Sequence, residues 1–340
     1  MVTGHHGFIG SLLVKQLLHQ GYNVKGIDTQ YFGPECEYYP EELRVTDVRK
    51  DIRQVEEKDL NGIDAICHLA ALSNDPMGEI SAELTLDINY KASVRLAQLA
   101  KKAGVKKFIF SSSCSLYGIA GQDAVTEEAA FAPVTAYAKS KVLVEKEILP
   151  IADKTFCVTS LRNATAYGVS PKLRVDLVVN NLLGSAFAEG QIKIMSDGSP
   201  WRPLIHAEDI ARAFIAVIEA PETAVNAQAF NVGQNEENYR IREIADLIGK
   251  AMPQCKIVFT GEHGADTRSY RVDFAKIQKT LPNFKPAWTL SKGIQQIAES
   301  YRDYHMNAER FSGRYFVRLK QVKYLLEKNL IDNDMYWREK

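Results

Sequence analysis

The first ten residues, Met1–Gly10, are MVTGHHGFIG, and they indicate the class of fold. They place glycines at positions 4, 7 and 10 and lead directly into a stretch of helical spacing from Phe8. Glycine at such positions permits a tight turn, lets the backbone approach a pyrophosphate, and lets the helix pack closely on the sheet. The start of the helix also favours negative charge. The stretch therefore predicts a dinucleotide-binding turn between the first strand and the first helix.

Asp28 strengthens this prediction because it ends the next predicted strand, roughly 20 residues after the turn. A carboxylate there can accept hydrogen bonds from both ribose hydroxyls of an adenosine and repels a 2′-phosphate, which favours NAD over NADP. Asp47 and Val48 follow the third predicted strand and are placed to reach the adenine. A glycine turn without a ligand and a solvated aspartate are the simpler alternatives.

Composition sets wider limits on function. The chain has 340 residues, enough for about two domains. Its 42 basic residues balance 42 acidic ones, so any anionic ligand has to be held by a local cluster rather than by net charge. Its five cysteines are scattered without a C-x-x-C pair, which favours reduced thiols. With neither a signal-peptide pattern nor a run long enough to span a bilayer, the expectation is a soluble cytoplasmic protein.

Short apolar runs alternate with helical stretches up to about residue 165. This alternation predicts an α/β fold of the Rossmann type, a doubly wound parallel sheet with helices on both faces, and a smaller C-terminal substrate-binding lobe. The predicted strands are Asn23–Ile27, Leu43–Thr46, Ile63–Ala70, Lys107–Ser111 and Phe156–Leu161, and the predicted helices are Phe8–Gln20, Ile80–Lys102 and Thr135–Ile148.

Beyond Tyr167 the alternation loosens, which suggests discontinuous domains. We expect an NAD-binding domain of residues 1–166 plus about 204–232, a second lobe of about 167–203 plus 233–306, and a C-terminal helical extension of 307–340. The extension carries apolar residues at amphipathic spacing, which predicts a helix packed against the body or a second subunit. Further predicted elements are helices Asp176–Glu189 and Ala207–Glu219 and strands Gln191–Met195 and Ala229–Val232.

A second group of residues suggests catalysis. Tyr137 and Lys141 are four positions apart and share one face of a predicted helix. The serine-rich run Ser111–Ser115 stands at the end of a strand, where ligands bind in open parallel sheets. A nearby ammonium favours the phenolate of a tyrosine, which is otherwise a poor base at neutral pH.

Together these motifs resemble the extended short-chain dehydrogenase/reductase family, the NAD-dependent sugar-nucleotide epimerases and dehydratases, over roughly residues 1–305. The residues that carry the resemblance are Gly4, Gly7, Gly10, Asp28, His68-Leu69-Ala70-Ala71, Asn89, Ser113, Tyr137, Lys141, Arg162-Asn163 and Trp201–His206.

The resemblance implies an enzyme in which Tyr137 abstracts a proton from a sugar hydroxyl as hydride leaves to the nicotinamide, Ser113 hydrogen-bonds the same oxygen, and Lys141 supports the phenolate. It also implies homodimerisation. The expected cofactor residues are Gly4, Gly7, Phe8, Ile9, Gly10, Asp28, Asp47, Val48, Leu69, Ala70, Ala71, Asn89, Ser111, Tyr137 and Lys141. Asn89 is expected to support the site rather than to take part in the chemistry.

The substrate side calls for groups that bind a diphosphate. By resemblance Arg202 and Arg268 contact it, with Lys172 and Arg174 as further basic candidates. Thr165 stands where many relatives have asparagine, so the sugar pocket differs from theirs. The expected substrate residues are Ser73, Ser113, Thr165, Asn181, Arg202 and Arg268, and Asn74 is a further candidate beside Ser73.

The leading hypothesis is an NAD-dependent nucleotide-sugar epimerase that acts through a transient keto sugar. A keto-deoxysugar reductase and a non-catalytic NAD(P)-sensing regulator are the alternatives. A 4,6-dehydratase is excluded because Cys114 and Ser115 stand where that branch places an acidic pair. No metal is expected, since His5 and His6 have no cysteine or carboxylate cluster near them in the sequence and are expected to face solvent. His68 is expected to be packed and hydrogen-bonded.

Overall fold

A computed structural model describes residues 1–41, 45–73, 81–260 and 268–338 of the chain. Its centre is a seven-stranded sheet in which every pair of neighbouring strands is parallel. The order is β3-β2-β1-β4-β5-β7-β11, so the chain reverses direction across the sheet between β1 and β4. The strands are β1 Val2–Thr3, β2 Lys25–Asp28, β3 Thr46–Arg49, β4 Ala65–His68, β5 Lys107–Ser113, β6 Ile119–Val125, β7 Cys157–Asn163, β8 Thr165–Tyr167, β9 Gln191–Ile194, β10 Trp201–His206, β11 Gln228–Val232, β12 Asn238–Arg240, β13 Lys256–Phe259 and β14 Ser269–Val272.

The central strand β1 has only two residues, yet both pair on each side. Thr3 lies opposite Ile27 of β2 and opposite His68 of β4. The N-terminal ammonium continues the pattern by donating to the Ala65 carbonyl at 2.7 Å. Pairing on both edges holds this short strand in register, and the glycine turn follows it at the middle of the sheet.

The helices cover the two faces of the sheet and build the second lobe. The longer ones are α1 Phe8–His19, α2 in three consecutive segments (Ala82–Leu86, a π-helical Asp87–Lys91 and Ala92–Lys102), α3 Ala136–Ile148, α4 Val178–Glu189, α5 Ala207–Glu219, α6 Ile241–Ala251, α7 Leu290–Asp303 and α8 Arg318–Glu327. Short helices also run Glu222–Val225, Ala275–Thr280 and Ala308–Ser312. Apolar side chains of α1 and α5 pack on one face, and those of α2 and α3 pack on the other. This layering is the predicted doubly wound α/β fold.

The second lobe consists of smaller sheets and the helices α4, α6 and α7. β8, β10 and β12 form a three-stranded sheet, and β9 pairs with β13. The three helices bury a separate apolar cluster around Leu183, Ile248 and Ile297. The domain boundaries drawn from the sequence stay predictions.

The third predicted strand differs most from the structure. The sequence predicts it at Leu43–Thr46, of which residues 43 and 44 lie outside the described part, but the strand runs Thr46–Arg49. Its outer position explains the error, since Asp47 and Arg49 lie at the sheet edge and carry no apolar signal. In the extension, a short helix runs Ala308–Ser312 and α8 covers ten residues, Arg318–Glu327; α8 packs with Leu325 against Ile52 and Ile88, as its amphipathic spacing predicted.

Within the described residues, no helix combines the length and apolarity needed to cross a membrane.

Candidate active site

A cavity of about 700 Å³ lies at the carboxyl ends of the central strands. The cavity is lined by segments that follow β1, β2, β4, β5 and β7. Residues of the second lobe, among them Asn181, Arg202 and Arg268, also line it. Most predicted site residues meet here: Gly4, Gly7, Phe8, Ile9, Gly10, Asp28, Leu69, Ala70, Ala71, Ser73, Ser111, Ser113, Tyr137, Lys141, Thr165, Arg174, Asn181, Arg202 and Arg268.

The glycine turn has the geometry that a dinucleotide needs. Gly4 has φ +74°, and a Cβ there would lie 2.8 Å from the Ala70 nitrogen. A Cβ on Gly10 would lie 2.1 Å from the Gly4 carbonyl oxygen, so a side chain there would force the turn apart. No described side chain caps the start of α1, and its first residues, Phe8–Gly10, line the cavity. The turn therefore fits a bound pyrophosphate.

Asp28 is held in place by the turn itself. Its carboxylate accepts the backbone N–H of Gln30 at 2.7 Å and that of His6 at 3.1 Å. Each oxygen has a second lone pair, so the carboxylate can still accept from ribose hydroxyls. This geometry fits the adenosine half of NAD.

The predicted adenine contacts Asp47 and Val48 are wrong in their placement. Both lie within β3 rather than after it, and neither is among the residues that line the cavity. The residues that follow the strand, Lys50–Ile52, line it instead. The same rule, that ligands lie beyond the carboxyl ends of strands, would have found them had the strand been placed correctly.

His5 does not face solvent as expected. Its ring is 2% exposed and packs over Gly26 of β2, where a Cβ would lie 2.3 Å from it. Nε2 of His5 and of His6 lie 3.0 and 2.9 Å from the two oxygens of the Asp47 carboxylate, which also accepts from Gln30. The two histidines thus share the carboxylate of Asp47, which is distant in sequence and was not expected near them. Through these contacts Asp47 supports the glycine turn. Burial and the neighbouring His6 lower the pKa of His5.

Tyr137 and Lys141 both reach the cavity from the first two turns of α3. The Lys141 Nζ lies 5.5 Å from the centroid of the Tyr137 ring and donates to the Ser111 carbonyl at 2.7 Å. Burial lowers the pKa of the Lys141 ammonium to about 7, and Glu145 opposes this effect. Because little solvent screens it, the ammonium acts on Tyr137 more strongly than a surface lysine would.

Four serines after Phe110 line the cavity, and their surroundings differ. Ser113 accepts the Ser115 N–H at 3.1 Å, which fixes its hydroxyl oxygen at the end of β5. The hydroxyls of Ser112 and Ser115 are buried and find no partner in the described chain. The choice of Ser113 as the catalytic serine remains a prediction from resemblance.

Asn89 and His68 support the site and do not line it. Asn89, in the π-helical segment of α2, accepts the Leu72 N–H at 2.7 Å and donates to the Leu72 carbonyl at 3.1 Å. These two hydrogen bonds hold the loop after β4 in place. His68 bonds the hydroxyls of Thr3 and Ser93, both at 2.7 Å, so it is packed and hydrogen-bonded as predicted. Burial lowers its pKa to about 3, which keeps the ring neutral.

The basic groups on the second-lobe side separate into two sets. Arg202, Arg268 and Arg174 line the cavity, and Arg174 forms an ion pair with Asp176 at 2.9 Å. Lys172 does not line it, because its ammonium donates to the carbonyls of Phe32 and Gly33 at 3.0 and 3.1 Å. Asn74 lies outside the described residues.

Several lining residues were not predicted. They include Thr29, Tyr31 and Phe32 after β2, Asp176 and Leu177 before α4, and Arg318 at the start of α8. The first three could have been found from their position after a strand. Arg318 carried no signal, because nothing in the spacing of the C-terminal extension shows which part of the body it contacts.

One prediction tests the cofactor choice. Asp28→Asn keeps an acceptor for the turn but removes the charge that repels a 2′-phosphate. We expect NAD binding to weaken roughly tenfold and the preference over NADP to fall, because a charge-assisted hydrogen bond becomes a neutral one. Binding titrations of both nucleotides measure this. An unchanged preference would show that Asp28 does not face the ribose.

A doubly wound sheet with a glycine turn, Asp28 at the end of β2 and the Tyr137–Lys141 pair beside a serine-rich strand end defines an extended short-chain dehydrogenase/reductase. The chain belongs to the NAD dependent epimerase/dehydratase family, whose model matches residues 1–233. It is accordingly an NAD-dependent enzyme, a sugar-nucleotide epimerase or oxidoreductase.

Individual relatives agree with this assignment. UDP-glucose 4-epimerase of Bacillus subtilis (strain 168) is 26% identical, and the match covers 89% of this chain and 95% of the relative. UDP-glucuronate 4-epimerase of Thermodesulfobacterium geofontis is also 26% identical, over 87% and 94% of the two chains. Among solved structures, MoeE5 in complex with UDP-glucuronic acid and NAD is 27% identical, with a TM-score of 0.78 and coverage of 89% of this chain and 98% of that one.

Proposed function

We propose that this protein is a nucleotide-sugar epimerase that inverts a carbinol carbon through a transient keto sugar. The observation that carries the proposal is that Tyr137, Lys141 and Ser113 line the same cavity as the glycine turn. The relatives named as UDP-sugar 4-epimerases support the same class of reaction.

In the proposed reaction NAD, when bound, supplies the hydride chemistry at the carbinol carbon in both directions. Tyr137, as the phenolate, accepts the proton of the sugar hydroxyl and returns it to the alcohol of the product. Ser113 hydrogen-bonds the same oxygen and holds it next to the phenol. Lys141 stabilises the phenolate by its charge, which is present below its pKa of about 7 and declines above it.

The substrate diphosphate would be held from the second lobe. Arg202, on β10, and Arg268, just before β14, line the same cavity as the glycine turn. Guanidinium groups bind phosphate oxygens through paired donors, and two of them match one diphosphate. Thr165, Asn181 and Ser73 line the same cavity and would contact the sugar or its phosphates.

The acid that a 4,6-dehydratase needs is missing from the described lining next to Ser113. Cys114 follows it, donates its thiol to the Arg162 carbonyl at 3.1 Å, and has a pKa raised by burial. Among the described residues, the carboxylates that line the cavity are Asp28, Asp51 and Asp176; Asp28 accepts the His6 N–H of the glycine turn, and Asp176 pairs with Arg174. This supports hydride transfer and proton transfer without loss of water.

The test is turnover of candidate substrates by the purified protein. UDP-, dTDP-, GDP- and CDP-sugars are first screened by thermal shift, because a ligand that binds the folded state stabilises it. Binders are then incubated without reductant, and we expect NMR to show conversion to an epimer with no net change in nicotinamide absorbance. Sustained, stoichiometric oxidation of NADPH with keto sugars would instead identify a ketoreductase. Binding of NAD without any turnover would identify a regulator.

A further inference from the structure

The C-terminal extension, residues 307–338, adds one side chain to the cofactor cavity. Arg318, the first residue of α8, lines the cavity together with Asp28 and Phe32. It is 2% exposed, and its guanidinium carbon lies 4.0 Å from the centroid of the Phe32 ring. This residue is far outside the part of the chain that the family model matches.

The guanidinium of Arg318 has an unused donor. Its Nη2 donates to the Lys172 carbonyl at 2.7 Å, whereas Nη1 is buried and has no partner in the described chain. Burial and the neighbouring Arg174 lower the pKa of Arg318, while Asp176 and Asp28 act in the opposite sense without a hydrogen bond to it. Because a buried cation is costly unless it is paired, this donor points to an anion that completes the site.

A chain of hydrogen bonds fixes Arg318 relative to the glycine turn. Ser170 Oγ donates to the Phe8 carbonyl in the first turn of α1 at 2.8 Å, and the Lys172 N–H donates to Ser170 Oγ at 3.2 Å. Arg318 then donates to the carbonyl of the same Lys172. Hydrogen bonds through Lys172 and Ser170 thereby connect its guanidinium to the N-terminal end of α1, where an anion is favoured.

The extension is also fastened to the loop that follows Asp28. Gln321 Nε2 donates to the Tyr31 carbonyl at 3.0 Å, and Trp337 Nε1 donates to the Thr29 carbonyl at 2.6 Å. The Arg49 guanidinium lies 4.0 Å from the centroid of the Trp337 ring. These contacts place the extension beside the loop that follows Asp28, the residue expected to bind the adenosine ribose.

We propose that Arg318 donates from Nη1 to the diphosphate of NAD, so that the extension adds a charged donor to the phosphate site at the glycine turn. The inference deepens the proposed function and rests on its cofactor site. A nucleotide sugar also carries a diphosphate, but Arg318 lines the cavity with Asp28, the last residue of β2, and with Phe32 in the loop that follows, and therefore belongs with the cofactor. The same contact retains NAD, as a reaction without net redox change requires.

The test compares Arg318→Met and Arg318→Lys in the full chain after bound nucleotide is removed by dialysis. Affinities for NAD, ADP-ribose and adenosine are measured by titration. Arg318→Met should lower the affinity for NAD and for ADP-ribose by roughly ten- to a hundredfold, the range for a lost charge-assisted hydrogen bond. The affinity for adenosine should stay almost unchanged. The NAD affinity of Arg318→Lys should lie between those of the wild type and Arg318→Met, because lysine keeps the charge but lacks the planar guanidinium.

Lys323→Met is the matched control, since it removes one exposed charge from the same helix. It should bind all three ligands as the wild type does. Thermal melts without nucleotide show whether each variant folds. If Arg318→Met does not fold, the NAD affinity of Arg318→Lys tests the proposal. Unchanged NAD affinity, equal weakening of adenosine, or weakening confined to a nucleotide sugar would each overturn the role of Arg318. Failure of the wild type to bind NAD would instead contradict the proposed function.

Discussion

Tyr137→Phe should lower kcat by about 10²–10⁴-fold and leave the affinity for NAD nearly unchanged. The phenol oxygen is the proposed proton acceptor, and a positioned acid or base contributes a factor of this size. The ring remains, and it lies half-buried in the first turn of α3, where the Lys141 Nζ is 5.5 Å from its centroid. The measurement is epimer formation under saturating substrate together with a titration of NAD.

Tyr22→Phe is the control, because it removes one tyrosine hydroxyl outside the cavity. The Tyr22 hydroxyl donates to Glu219 at 3.3 Å, and the residue is not among those that line the cavity. This variant should turn over at the wild-type rate. If Tyr137→Phe lost NAD binding and activity to the same degree, Tyr137 would be a structural residue, and the assignment of the base would be wrong.

Arg162→Met should destabilise the fold by about 3–5 kcal/mol, because it leaves a carboxylate buried without its cation. Arg162, on β7, pairs with Glu145 of α3 at 2.7 Å, with side chains 5% and 2% exposed. It also donates to the Tyr117 hydroxyl at 3.0 Å and to the Glu127 carbonyl at 2.9 Å. Urea unfolding followed by circular dichroism measures the change. Since Glu145 follows Lys141 by one turn of α3, activity should fall as well.

Two further variants decide whether the buried ion pair causes the loss. Lys102→Ala breaks the exposed pair with Glu57 (2.7 Å, 71% and 48% exposed), and stability should barely change. Arg162→Met combined with Glu145→Leu removes both charges and should recover part of the lost stability. If Lys102→Ala were as harmful as Arg162→Met, or if the double variant were the least stable, the pairing argument would fail.

Some of the site could be predicted because its signals are local. The glycines of the turn need particular backbone conformations, and Tyr137 and Lys141 need only one helical turn to share a face, so both patterns are visible in the sequence. Asp28 follows from its distance after the turn. In contrast, the predicted position of β3 was wrong, because a strand at the edge of the sheet has little apolar pattern. The residues that follow the observed strand, Lys50–Ile52, line the cavity, whereas Asp47 does not.

The amino-acid order alone specified the parallel α/β fold, the cofactor turn and the Tyr137–Lys141 pair, because each depends on residues within a few turns or one strand of each other. Folding in three dimensions decided the rest. Asp47 reaches His5 and His6, and Arg318 reaches the cavity, only because distant segments pack together. Such contacts depend on which surfaces meet, and no spacing along the chain encodes that.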